Sequence, residues 1–166
     1  MPTWMSYNVL TFIVFLALVA GTAFFGGLWG ANSWYRSLSK PGWTPPDWLF
    51  PAMWTLLYTL MAIAGWLVWN TPSESRTLLL TLWGVQLVLN GLWSYIFFGR
   101  RSIRLALADI AALWLVIAAF VIAAWPVNML AAILFVPYLA WVSYAAALNA
   151  DIWRRNSGRA DQLSAG

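Results

Sequence analysis

The sequence predicts an all-α membrane protein, a five-transmembrane-helix bundle, on three observations. It holds five uninterrupted apolar stretches of bilayer-spanning length, its charged residues make up only 8% of 166, and 14 of its residues are tryptophan. A soluble domain carries about 25% charged residues, so this chain has too little polar surface for water. Tryptophan is amphipathic and collects where acyl chains meet head groups, which points to the same solvent.

Crossing roughly 30 Å of hydrocarbon takes about 20 residues of helix, which satisfies its backbone polar groups internally. The first window is Tyr7–Gly27. Its small-residue stretch Ala20-Gly21-Thr22-Ala23 resembles a cleavage site, but no Lys or Arg precedes it and the run is too long for a secretory leader, so it reads as a span. The lid loop, residues 28–47, follows. Its Pro41, Pro45 and Pro46 favour extended backbone, and its aromatics Trp34, Tyr35 and Trp43 are expected to fold back onto the bundle.

The remaining windows are Trp48–Trp69, with Asp47 as its expected cap, Thr77–Phe98, Ile103–Trp125 and Val127–Asn149. Only the fourth contains formal charges, Arg104 at its start and Asp109 within it. The connectors Asn70–Arg76, Gly99–Ser102 and Pro126 are short enough to make consecutive spans antiparallel neighbours. Pro137 should kink the fifth span. Residues 1–153 thus form a single domain, and 154–166 a polar C-terminal tail.

An alternating five-span path puts Arg36, Lys40, Arg100, Arg101, Arg104, Arg154, Arg155 and Arg159 on one side and Arg76 alone on the other. The excess of basic residues on cytoplasmic loops then orients the chain with its N-terminus outside and its C-terminus cytoplasmic, in a bacterial inner membrane rather than an outer membrane that mainly hosts barrels. The formal charge of +4 does not imply nucleic acid, because the basic residues are scattered between apolar runs. With no His and no Cys, a metal or haem-ligating centre lacks its commonest ligands. Paired carboxylates and phosphate loops are missing too, so conventional acid–base catalysis and metal hydrolysis are not expected. No obligatory cofactor follows from the residues.

At about 1.5 Å rise per residue, several side chains share one layer on the basic side of the bundle. These are Trp54 and Tyr58 of the second span, Asn90 and Trp93 of the third, Asp109 of the fourth and Trp141 of the fifth, with Gly21 and Thr22 leaving room opposite. Trp54, Tyr58 and Met61 are spaced to share a helix face, as are Gln86, Asn90 and Trp93. Such an aromatic-walled chamber suits a flat, largely apolar ligand, with Arg36 and Lys40 at the mouth available to carboxylates.

Simpler readings compete. Trp4, Trp29, Trp34, Trp48, Trp69, Trp125 and Trp153 sit near span ends and suit belt anchoring or lid packing, and Trp66, Trp83 and Trp114 suit packing. For Trp54 and Trp141, packing and ligand contact stand equal. Asn90 in hydrocarbon needs a hydrogen-bond partner, which another helix can supply. An intramembrane carboxylate such as Asp109 is a functional candidate by default, yet Arg104 and the nearby helix start favour a structural role. Gly84 and Gly91, seven apart, mark a smooth stripe suited to another helix or subunit.

The residues Trp34-Tyr35 … Leu38-Ser39-Lys40-Pro41-Gly42-Trp43-Thr44-Pro45-Pro46-Asp47-Trp48 … Phe50-Pro51 … Trp54-Thr55-Leu56-Leu57-Tyr58 resemble the translocator protein family, also called tryptophan-rich sensory protein or TspO. The resemblance continues through Gln86-Leu87 … Asn90 … Trp93-Ser94 … Phe97-Phe98 and Pro137-Tyr138-Leu139 … Trp141 … Leu148-Asn149, and so covers essentially the whole chain. It implies a five-helix bundle, often a homodimer, that binds porphyrins and other flat ligands beneath the first loop. Trp54, Asn90 and Trp141 match the family's pocket positions, and Tyr58, Trp93 and Ala145 match neighbouring wall positions.

The expected ligand is therefore a porphyrin or haem-type tetrapyrrole, held under a lid whose mouth carries Trp34, Arg36, Lys40, Trp43 and Pro45. The expected role is that of a translocator or sensor. The alternatives are light-driven porphyrin breakdown, with Trp54 or Trp141 as electron donor, and a membrane scaffold that binds nothing but lipid. The family's sterol motif departs here: Tyr144 is followed by Ala-Ala-Ala-Leu-Asn and the next basic residue is Arg154, so sterol is not an expected ligand.

Overall fold

The computed structural model describes residues 3–164, with side chains described for residues 8–157. The side chains of Trp4 and Arg159 and the end of the C-terminal tail lie outside that range. Among the described residues the chain is all helical: α1 (Thr3–Gly27), α2 (Ser33–Ser37), α3 (Leu49–Asn70), α4 (Arg76–Ser94) continued by a π turn (Tyr95–Gly99), α5 (Ile103–Ala124) and α6 (Met129–Ser164). Five of these are long and apolar enough to cross a membrane. α2 is a short helix within the lid.

The five long helices close into a ring. Going round it, α1 packs on α3, α3 on α6, α6 on α5, α5 on α4, and α4 back on α1. Consecutive spans are neighbours for α4–α5 and α5–α6, as loop length predicts. The α3–α4 pair departs from this order: α1 and α6 are the main partners of α3, and α3 meets α4 more sparsely across the ring. What joins them is specific. The Trp83 indole of α4 donates Nε1–H to the Met61 carbonyl of α3 at 2.8 Å. Gly65 makes room for it, since a Cβ there would meet Trp83 at 2.6 Å and Phe15 at 2.7 Å.

The radial pattern is that of a protein dissolved in lipid. Phe24 and Ile122 face outward at 72% and 74% exposure, while Gln86 and Asn90 are buried. Aliphatic, aromatic and small residues fill the ring: Leu57, Met61, Ala62, Ile117, Phe120, Phe135 and Tyr138 are fully enclosed. Three exposed tryptophans stand at helix ends, Trp48 before α3, Trp69 at its end and Trp125 after α5, while Trp43 is exposed in the lid and Trp114 at mid-α5. The three at helix ends are placed as interface anchors are.

Two boundary expectations need correction. Asp47 does not cap α3, whose N-cap is Trp48 with no side-chain hydrogen bond. Pro137 lies inside α6, and helix continues on both sides of it, as a kinked span would. Residues 154–164 are not a separate tail, because α6 runs on through Ser164. Asp151 sustains this polar extension by pairing with Arg154 at 3.1 Å and Arg155 at 3.3 Å, the helical three- and four-residue spacings.

Candidate functional site

The lid returns to the bundle as its aromatics predict. Asn32 starts α2 by accepting from the Tyr35 N–H at 3.0 Å, and its amide donates to the Phe98 carbonyl at 3.1 Å. Tyr35 is buried and Trp34 half-buried, their rings edge-on to Phe97, and together with Leu148 and Ile152 they form a second small core under the lid. Burial pushes the Tyr35 hydroxyl above its ordinary value, and the charge of Asp47 adds to the shift. Trp43 packs edge-on to Tyr144, and Pro45 is buried.

The mouth charges split. Arg36 is exposed. The Lys40 ammonium turns inward, donating to the Tyr35 carbonyl at 2.9 Å and lying 4.5 Å from the centre of the Tyr35 ring. In this arrangement it serves the last turn of α2.

Beneath the lid, three helices are tied by one polar chain. The Tyr58 hydroxyl of α3 donates to Asn90 Oδ1 of α4 at 2.6 Å, and Asn90 Nδ2 donates to the Tyr138 hydroxyl of α6 at 2.9 Å. Trp54 stacks on Tyr58 and meets Tyr138 edge-on. Next to this chain lies a cavity of about 20 Å³, walled by Trp54, Asn90, Trp93, Ile110, Leu113, Val142 and Ala145. Trp93 also stacks on Phe97, and its Nε1–H is buried without an acceptor.

The predicted site residues therefore separate into three groups. Trp54, Asn90, Trp93 and Ala145 meet at the cavity, and Tyr58 joins it through Asn90. Trp141 packs against Phe50 and Tyr144 and does not line the cavity, although its neighbour Val142 does. Gly21 and Thr22 are not opposite these residues. They line a groove of about 540 Å³ on the outside of the ring, shared with Leu18, Phe25, Trp83, Gly84, Leu87, Val88, Gly91 and Leu92. Asp109 forms no ion pair with Arg104, and its Oδ2 is buried without a hydrogen bond.

Tyr138, Tyr144 and Asn156 carry more of the site than their sequence signals suggest. Tyr138 stands next to Pro137 in an apolar run, and only its neighbours reveal that Asn90 needs it.

The TspO/MBR family description matches residues 12–154, across all five spans and the lid. The chain belongs to the TspO/MBR family. It is 39% identical to protein CrtK of Rhodobacter capsulatus over 91% of this chain and 96% of that protein. It is 37% identical to the tryptophan-rich sensory protein of Cereibacter sphaeroides, over 93% and 97% of the two chains. The human translocator protein is 36% identical over 95% of this chain and 94% of its own. This TspO/MBR protein is an integral, multi-pass membrane protein, and the family's translocator and sensory names are attached to proteins of nearly its whole length.

Proposed function

We propose that the cavity beneath the lid is the closed form of a tetrapyrrole-binding pocket, and that this translocator-type membrane protein senses or carries a porphyrin through it. The carrying observation is the convergence of Trp54, Asn90, Trp93 and Ala145 from three helices on one void under an aromatic lid. Flat aromatic walls suit a flat conjugated ligand, and few polar groups keep it apolar. The Trp93 Nε1–H supplies one buried donor that a ligand acceptor would satisfy. Arg36 remains outside for a peripheral carboxylate. The basic lid side is cytoplasmic on this reading, and the membrane is the bacterial inner membrane.

The test is a titration of the purified protein with protoporphyrin IX, read by tryptophan fluorescence. Wild type quenches saturably, and Trp54→Ala weakens apparent affinity by about tenfold, the loss of an aromatic contact of order 1.4 kcal/mol. Trp141→Ala has a smaller effect, because that ring stands off the cavity. Wild-type affinity in the Trp54→Ala, Trp141→Ala double variant overturns the pocket.

The outer groove supports a homodimer as the assembled form. Gly21 and Gly84 lie in it with nothing within 4 Å of an added Cβ, and its rim of Leu18, Val88 and Leu92 is apolar and exposed. Small residues that let backbones approach are what helix association in lipid uses.

A further inference from the structure

A cavity of about 20 Å³ has room for roughly one water, whereas drug-sized ligands occupy pockets of roughly 300–1,000 Å³. If a tetrapyrrole enters there, as proposed above, the lid must lift and the helices beneath it must part. The question is what holds the lid shut. Its first half, α2, is held by apolar packing of Trp34 and Tyr35. Its second half, residues 38–48, has no regular helix or strand; Leu38 and Trp43 pack on the bundle, Pro41 and Pro45 are buried, and two side chains of α6 hydrogen-bond its backbone.

The stronger of these two ties is Asn156. Its Oδ1 accepts from the Ser39 N–H at 3.0 Å and its Nδ2 donates to the Ser39 carbonyl at 2.9 Å, so one side-chain amide pairs with both backbone groups of one lid residue. Asn156 is itself only 8% exposed, and it stands 14 residues beyond Val142 and 11 beyond Ala145 on α6. Both separations are close to whole turns at about 3.6 residues each, so the latch continues the helix face that walls the cavity. A second tie lies nearer the cavity: the Tyr144 hydroxyl donates to the Trp43 carbonyl at 2.6 Å. Between the two tied residues, Gly42 is exposed and has open space around it.

We infer that Asn156 is a releasable latch. It closes the lid through Ser39, with Tyr144 as its partner at Trp43, and so sets how fast a ligand enters and leaves without touching that ligand. An amide bonded to backbone at both ends imitates a strand pairing, yet it is a single contact that comes undone in one step. Losing two hydrogen bonds raises the open population about tenfold, since each contributes of order 1 kcal/mol or less. Because the latch forms whether or not the cavity is filled, entry and exit accelerate together and affinity moves little. A wall residue behaves differently, since its loss speeds exit alone.

The full-length protein in lipid nanodiscs tests this, with protoporphyrin IX as the probe and stopped-flow quenching as the readout. Asn156→Ala raises both the association and the dissociation rate about tenfold, with Kd unchanged within about threefold. Tyr144→Phe keeps the ring stacking and gives a smaller rise of the same kind. The chain has no cysteine, so Ser39→Cys with Asn156→Cys can be joined by a short reducible cross-linker. The joined form slows entry at least tenfold, and reduction restores it. Hydrogen–deuterium exchange of residues 38–48 in ligand-free protein separates this inference from the pocket itself. If Asn156→Ala speeds exchange there but wild type never binds porphyrin, the pocket reading falls and the latch stands. Unchanged exchange in both Asn156→Ala and Tyr144→Phe overturns the latch, as does a change confined to the dissociation rate.

Discussion

The cavity under the lid and the groove between α1 and α4 belong to the same apolar bundle, and they differ in what lines them and in what faces what. The groove is the larger space by far, about 540 Å³ against 20 Å³, but it is lined almost wholly by aliphatic and small side chains and opens outward. The cavity is narrow, and three helices send hydrogen-bonding groups to its edge. Size alone would select the groove. Chemistry selects the cavity, because directional polar groups in a lipid-immersed protein must be satisfied inside it, whereas a smooth apolar furrow is satisfied by any acyl chain or helix.

The comparison can be broken from either side. The largest effect is expected at the polar chain. Asn90→Leu strands the Tyr58 and Tyr138 hydroxyls and should destabilise the protein by about 1–3 kcal/mol, read as a lowered melting temperature in detergent. An Asn90→Leu protein as stable as wild type would mean that the chain bears no stress. Next comes Ala145→Phe, which plugs the cavity wall and should weaken protoporphyrin binding by about tenfold or more while leaving the fold intact. Full binding in that variant would move the ligand elsewhere, the groove included.

A smaller loss is expected from Tyr58→Phe. It deletes one hydroxyl of the chain and keeps the ring on Trp54, so about 0.5–1.5 kcal/mol of stability should go. The smallest effect on stability belongs to the groove. Gly84→Leu meets no atom within 4 Å at its Cβ and should shift monomer stability by less than about 0.5 kcal/mol. It should leave porphyrin affinity untouched and lower the dimer fraction measured by light scattering. A porphyrin defect in Gly84→Leu would reverse the assignment of the two spaces.

Depth along each helix was legible in the residues themselves, and it brought Trp54, Tyr58, Asn90 and Trp93 to one level because rise per residue is nearly constant. Direction around each helix was not. Gly21 and Thr22 have the right depth on α1, but α1 meets α3 and α4 at the ring's edge and turns these two residues to the outer groove. The place of Lys40 depends on its surroundings in the same way. A lone cation in a lid looks free for a ligand until α2 forms beside it and offers its last carbonyls. Asn156 lay in a stretch that composition marks as polar tail, and only the continuation of α6 past the bundle carries it to Ser39.

The solvent, the number of spans and the identity of the lid follow from the residues taken one stretch at a time, because hydropathy, span length and aromatic content are local properties of a chain that must satisfy its backbone in lipid. The order of helices round the ring, the pairing of Asn90 with two tyrosines, and the division between a closed cavity and an open groove were decided by tertiary structure alone. They depend on which faces meet, and in a bundle whose outside is as apolar as its inside, hydrophobicity cannot say which face that is. Close approach at Gly65 and a handful of buried hydrogen bonds make the choice.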